Sequence, residues 1–495
     1  MIMNGVMSVL SSPTCLLLIC AGVFIGIIFG SIPGLSAVMA VCLFLPLSFG
    51  MSAINGISLL IGLYIGGISG GLISAILLKI PGTPASVATV FDGGPMAERG
   101  EAGKAIGMGI LYSFIGGILS LAALIFLSPT LAKFALHFTS VEYASITLFS
   151  LTVIAGLSGK RPILGVISGL IGVLLSCVGD APVDAVVRFN FGSHLLDPGF
   201  DNVPLMIGFF AISDVFRYAA SFHNESTKPQ IKTASIKGYG VSLKEFIKSI
   251  PVTIQSTLIG LGIGILPGIG GGTACMVSYS AAQMVSKNPE KFGTGCSEGL
   301  IASETANNAT TGGTLVPMLT LGIPGSSTAA MLMSGLIIHG VSPGPMIFRT
   351  NGTLMYGIFT AMFIGNVAML FMERGALPIF VKLLSIPKNF LLPCIVVMCA
   401  LGCYTAHHIV FDVMCMWFFG IVGIFFRKAG IPISPCIIGF ILGSSFEKYL
   451  RRSLINKSGS LLPFIQSPIA LFFIIMAIIF CIVPIIRSKK KSSVM

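Results

Sequence analysis

Long apolar runs separated by short polar stretches fill most of the chain. They predict membrane spans near 14–31, 54–79, 105–128, 143–157, 163–178 and 203–216, then a second set near 251–281, 312–338, 353–371, 391–406, 409–426, 431–446 and 461–486. A helix needs about 20 mostly apolar residues to cross a bilayer, so the length has room for on the order of 10 to 14 crossings. The first charged side chain is Lys79, and residues 305–348 contain no Asp, Glu, Lys or Arg. No soluble domain fits between such runs. The expected fold is an all-α polytopic membrane protein of about 12 transmembrane helices.

Several runs are interrupted by Pro-Gly pairs, and the interruptions recur. Gly30-Ser31-Ile32-Pro33-Gly34 returns as Gly264-Ile265-Leu266-Pro267-Gly268, 234 residues later. Ile80-Pro81-Gly82-Thr83 returns as Ile323-Pro324-Gly325-Ser326 after 243 residues. Two motifs in the same order at nearly one offset predict an internal duplication, with Gly/Pro-broken helices or re-entrant segments in each half. The division is a first repeat at 1–216, a cationic linker at 217–250 and a second repeat with additional C-terminal helices at 251–495. Because the duplicated breaks must face one site from opposite sides, the halves are expected to be inverted relative to each other, with the N-terminus outside.

Composition agrees: 54% of residues are apolar and 9% charged, against roughly 25% charged in a soluble domain. The net charge of +12 is scattered through short loops and the C-terminal tail, which fits the positive-inside rule and excludes a nucleic-acid-binding face. The 180–201 segment carries Asp180, Asp184, Asp197 and Asp201 against Arg188 and is expected outside. The 217–248 segment carries six Lys or Arg against two acids and is expected inside, together with Lys160-Arg161 and the 487–491 tail. Lys448, Arg451, Arg452 and Lys457 resist the scheme, since one apparent span separates them from that tail. The twelve cysteines include no CxxC pair or zinc-type spacing and lie mostly in apolar runs. Residues 1–30 lack a basic n-region and read as a first span rather than a cleaved signal.

Two constellations carry candidate chemistry. Pro removes a backbone donor and Gly permits tight turns, so each Pro-Gly pair frees backbone groups that only protein or a water-filled cavity can satisfy. Broken helices converging at the midplane aim half-helix N-termini at an anion, which nominates Pro33, Gly34, Pro81, Gly82, Thr83, Pro267, Gly268, Pro324, Gly325 and Ser326 as substrate-binding. The alternative is a set of kinks packed by small residues. The second constellation is Glu304, Asn307 and Asn308, placed before the charge-free run. An acid near the bilayer centre costs about 2.5 to 3.5 kcal/mol, and here its oxygens suit Na⁺ or its carboxyl a proton. Asp92 is the further candidate for coupling. The alternative is a loop-end acid with an Asn pair capping the next helix. Gly67-Ile68-Ser69-Gly70 with His339 would suit an intramembrane serine protease, and a continuous polar pore an anion channel. No GxxxxGK[ST] motif is present, so ATP is not the expected energy source and no organic cofactor is called for.

Taken together, the motifs at Gly30–Gly34, Tyr64–Gly71 (YIGGISGG), 76–95 (ILLKIPGTPASVATVFDGGP), 178–192, 264–270, 292–317, 321–325 and 339–348 (HGVSPGPMIF) resemble the large permease subunit of the tripartite tricarboxylate transporters, TctA type. The chain departs from that pattern at Ser303, Asp214, Ala281-Ala282-Gln283 and Asp180–Asp184. The resemblance implies a non-enzymatic permease in the bacterial inner membrane. It also implies a small membrane partner subunit, a periplasmic binding protein delivering tricarboxylates or related carboxylates, and an ion gradient of Na⁺ or H⁺ as the driving force.

Overall fold

The computed structural model describes residues 1–156, 162–221, 239–383 and 388–492. The chain is almost wholly helical: α1 (Ile2–Leu10), α2 (Pro13–Ser31), α3 (Ala37–Phe44), α4 (Ala53–Ser69), α5 (Gly71–Leu77), α6 (Val87–Glu98), α7 (Ala102–Ala135), α8 (Ser140–Gly156) and α9 (Pro162–Ser176). After a two-residue strand pair come α10 (Asn202–Ile207), α11 (Ser213–Ser221), α12 (Leu243–Ile265), α13 (Gly270–Val285), α14 (Ser297–Leu321), α15 (Ser327–Ile338), α16 (Ile347–Thr350) and α17 (Gly352–Gly375). The rest are α18 (Leu377–Leu383), α19 (Lys388–His407), α20 (Val410–Lys428), α21 (Ile433–Asn456), α22 (Leu462–Gln466) and α23 (Pro468–Ser492). Among the described residues six helices are long and apolar enough to cross a membrane: Pro13–Ser31, Ala53–Leu77, Ala102–Ala135, Leu243–Ile265, Gly352–Gly375 and Val410–Lys428. Shorter apolar helices accompany them, so the chain is an all-α polytopic membrane protein. Residues 222–238 of the expected linker, together with Lys160-Arg161, lie outside the described residues.

Two predicted spans are corrected. The run at 251–281 is two helices, because α12 stops at Ile265 and α13 starts at Gly270. The run at 312–338 is likewise the end of α14 and the whole of α15, parted where Gly322 takes a left-handed φ of +71°. In the first half Lys79 holds that left-handed place at φ +56°, although it has a side chain.

The chain forms two compact units, the first comprising 1–130, 218–265 and 270–398. Inside it the duplication is visible atom by atom. An ideal Cβ on Gly26 would lie 2.5 Å from the Leu63 carbonyl oxygen, and one on Gly260 lies 2.5 Å from that of Ala306. Gly30 abuts the Gly67 oxygen and Gly70 Cα, while Gly264 abuts the Thr310 oxygen and Gly313 Cα. Every pair keeps the offsets of 234 on α2/α12 and 243 on α4/α14. Helices approach this closely only where small residues remove the Cβ, which is why the two halves share glycines rather than bulky side chains. Where α4 and α14 meet they run in opposite directions. Tyr64 bonds Thr314 at 2.8 Å, Ile68 receives Asn307 at 3.2 Å, and Leu72 and Glu304 both approach Gly109.

The second unit comprises 131–217, 266–269 and 399–495. Its antiparallel pair β1 (Gly179–Asp180) and β2 (Val187–Arg188) is tied to α21: Arg188 makes a bidentate pair with Glu447 at 2.7 and 3.0 Å. Arg451 bridges Glu447 and Asp184, at 2.9 Å each. This explains the cationic cluster that resisted the charge rule. The 448–457 cations share one membrane face with the acidic 180–201 segment, which partly neutralises them.

Candidate functional site

In the first unit three acids are wholly buried, Asp92, Glu304 and Glu373, and Glu304 lies two turns into α14. The alternative of a loop-end acid with capping amides is therefore overturned, since α14 starts seven residues earlier, at Ser297. Both carboxylate oxygens accept from hydroxyls on neighbouring helices. Oε1 takes a short bond from Thr89 on α6, and Oε2 takes one of 2.9 Å from Ser113 on α7. Among the described residues no cation pairs with it, so only neutral dipoles compensate its desolvation.

Unpartnered oxygens cluster within one turn of Glu304. Asn307 donates its amide to the Ile68 carbonyl, and Asn308 donates to the Glu304 carbonyl at 3.2 Å. That leaves Asn307 Oδ1, Asn308 Oδ1 and Thr305 Oγ1 buried without a hydrogen-bond partner among the described residues. An orphaned buried polar atom costs roughly 1 to 3 kcal/mol, and a hard cation or a proton relay is the chemistry that offsets it. The first turn of α13 meets the same place, with Asn307 Oδ1 only 3.1 Å and Ala85 Cβ 3.2 Å from where a Gly271 Cβ would be. The first half's Thr83–Ser86 turn and the second half's helix start thus converge beside Asn307.

Gly82 packs closely against the Gly30 carbonyl and Ser74, and Gly325 against the Gly264 carbonyl, whose oxygen would lie 2.5 Å from a Cβ on Gly325. Thr83 closes a capping box with Ser86, and Ser326 Oγ accepts from Ala329 N at 3.2 Å, so their hydroxyls start the following helices. Pro33, Pro81 and Gly34 are partly exposed, whereas Pro324 is buried. Gly34 and Gly268 occupy equivalent places with φ of +96° and +74°. Pro267 and Gly268 fall in the second unit, where the adjacent Ile269 packs against the Phe149 cluster.

Asp92, the further coupling candidate, is held in a loop-fixing set of hydrogen bonds. Its Oδ1 accepts backbone N–H bonds from Gly293, Gly295 and Cys296 at 2.6 to 3.0 Å, and Oδ2 accepts from Tyr279 at 2.9 Å. It clamps the loop that launches α14. Ser69 donates at 3.0 Å to Glu373, a second fully buried acid, while His339 lies by Ser48 at 3.3 Å and against Gly56. Gly56 and Ser69 are 13 residues apart on α4, about 20 Å, so the protease pair is not assembled. Sequence reasoning missed Glu373, Thr89, Ser113 and Tyr279.

The family described as the tripartite tricarboxylate transporter TctA family matches residues 16–438. An uncharacterised 52.8 kDa protein of the TAR-I ttuC′ 3′ region of Agrobacterium vitis is 33% identical over 472 residues, 95% of this chain and 93% of that protein. A second uncharacterised protein, of the TAR-II ttuC′ 3′ region of the same organism, is 36% identical over 231 residues, 46% of this chain and 96% of its own length. No solved structure matches the chain.

Proposed function

This chain belongs to the tripartite tricarboxylate transporter TctA family, and from that premise we propose that it is the large permease subunit of a secondary transporter. It imports carboxylates across the bacterial inner membrane, taking them from a periplasmic binding protein and working with a small membrane subunit. An ion gradient, of Na⁺ or H⁺, drives it. The observation that carries this reading is Glu304, a fully buried carboxylate held by two hydroxyls beside unpartnered amide oxygens. A charge so costly to embed is kept where it handles an ion. The antiparallel meeting of the equivalent helices α4 and α14 supports inverted repeats, the architecture of alternating access around a central site. Beside that site, the first turn of α13 supplies backbone donors for a carboxylate.

The test is reconstitution of the permease with its small subunit and binding protein in proteoliposomes. Radiolabelled dicarboxylates and tricarboxylates should accumulate under an imposed Na⁺ or proton gradient. Transport of none of them, or accumulation that ignores both gradients, rejects the proposal.

A further inference from the structure

We propose that Glu373 is a proton-exchanging carboxyl group that works beside Glu304, a role that rests on the transporter reading above. Glu373 lies near the end of α17 with no exposed surface. Ser69 alone reaches it, donating to Oε2 at 3.0 Å, while Oε1 is buried without a partner among the described residues. Ser69 follows Ile68, whose carbonyl takes the Asn307 amide one turn from Glu304, so both acids stand beside the same stretch of α4.

The surrounding elements supply no compensating cation. Helices α1, α2 and α4 carry no Asp, Glu, Lys, Arg or His; of their titratable groups Cys15 and Tyr64 are turned to Ser58 and Thr314, and the half-buried Cys20 is a thiol that supplies no positive charge. On α7, Tyr112 bonds Ser249 and Lys104 pairs with Glu245 at 3.2 Å. Arg374, next along the chain, stacks on Tyr239 at 4.7 Å, Lys382 on α18 is exposed, and Arg349 on α16 lies at the far end of α17.

The two acids therefore differ in kind. Glu304 receives a donor on each oxygen, the environment of a charged carboxylate. Glu373 has one hydroxyl for two oxygens, and two neighbouring buried carboxylates do not both ionise cheaply. A hydroxyl can donate to the charged form or accept from the neutral one, so Ser69 serves both states. The step is loss of one proton from the Glu373 carboxyl to water and its return, with no other bond changed.

Infrared difference spectra of the purified complex, titrated in pH, test this without a substrate. Wild type should show a titrating carboxylic-acid carbonyl band that Glu373→Gln removes, that Ser69→Ala shifts, and that Glu304→Gln leaves in place. In proteoliposomes Glu373→Gln should keep carboxylate counterflow and lose acceleration by an inward proton gradient. The proposal is overturned if Glu373→Gln retains every titrating band of the wild type, or if its uptake answers a proton gradient as the wild type does. Should Glu373→Gln not fold, an unshifted spectrum in Ser69→Ala overturns it. A wild-type complex that moves no carboxylate would instead reject the transporter reading, with the spectra still deciding the proton site.

Discussion

Replacing Glu304 by Gln separates an ion-handling role from a structural one, because the energetic terms nearly cancel. Removing the charge relieves an embedding cost of about 2.5 to 3.5 kcal/mol. Against this, the bonds from Thr89 and Ser113 turn from charge-assisted, worth about 1.5 to 3 kcal/mol each, to neutral, worth about 0.5 to 1.5. The loss is about 1 to 1.5 kcal/mol per bond, or about 2 to 3 for the pair. Both hydroxyls can rotate to suit an amide, so neither partner is stranded. Net stability should stay within about 1 kcal/mol of wild type, a shift of a few degrees in Tm at most. Gradient-driven uptake should disappear while substrate exchange survives. Thermal unfolding in detergent and uptake in proteoliposomes read the two quantities separately. A variant with wild-type concentrative uptake and unchanged ion dependence would refute the role, and a large fall in Tm would refute the cancellation.

Asn307→Ala removes one unpartnered oxygen beside Glu304 and should raise the ion concentration for half-maximal transport several-fold; flux measured against Na⁺ and against pH checks it. Gly325→Ala and Gly82→Ala each drive a Cβ into a carbonyl of the preceding broken helix, and should cost about 1 to 3 kcal/mol by thermal unfolding. Gly262→Ala is the control, since open space surrounds it, and should gain up to about 1 kcal/mol. Asp92→Asn can keep Oδ1 as acceptor for the three N–H groups and should leave ion dependence unchanged, whereas Asp92→Ala should lower Tm and speed hydrogen exchange at Gly293–Cys296.

The apolar runs made the membrane class legible because length and hydropathy act locally. The duplication was legible as well, since close helix approach restricts the choice to glycine at positions such as Gly30 and Gly264. Where a run is interrupted was harder to read: 251–281 carries no charged residue, and the left-handed Gly268 and the Gly270–Gly272 start divide it. Glu304 seemed to precede its helix because small residues, not bulky apolar ones, fill the first three turns of α14. Glu373 was hidden by its neighbour, as Glu373-Arg374 at the end of an apolar run reads as a loop pair, yet Arg374 turns to Tyr239. Thr89 and Ser113 leave no local signal, because their importance arises only when α6 and α7 fold onto α14.

The scaffold is duplicated while the chemistry is not, and this asymmetry restricts the mechanism. Under the offset of 243, Glu304 corresponds to Ile61, Asn307 to Tyr64 and Asn308 to Ile65, so the first half places apolar or aromatic groups where the second places a carboxylate and two amides. Tyr64 bridges to Thr314 on the second half's α14, and so one half braces the helix that carries the other half's polar groups. Two inverted halves can exchange conformations when each break packs alike, as the Gly82–Gly30 and Gly325–Gly264 contacts do. A second acid at Ile61 would add another embedding cost of about 2.5 to 3.5 kcal/mol. On the proposed transporter reading, symmetric glycines would let the halves interchange, and a one-sided set of polar groups would confine the ion to α14 in both conformations.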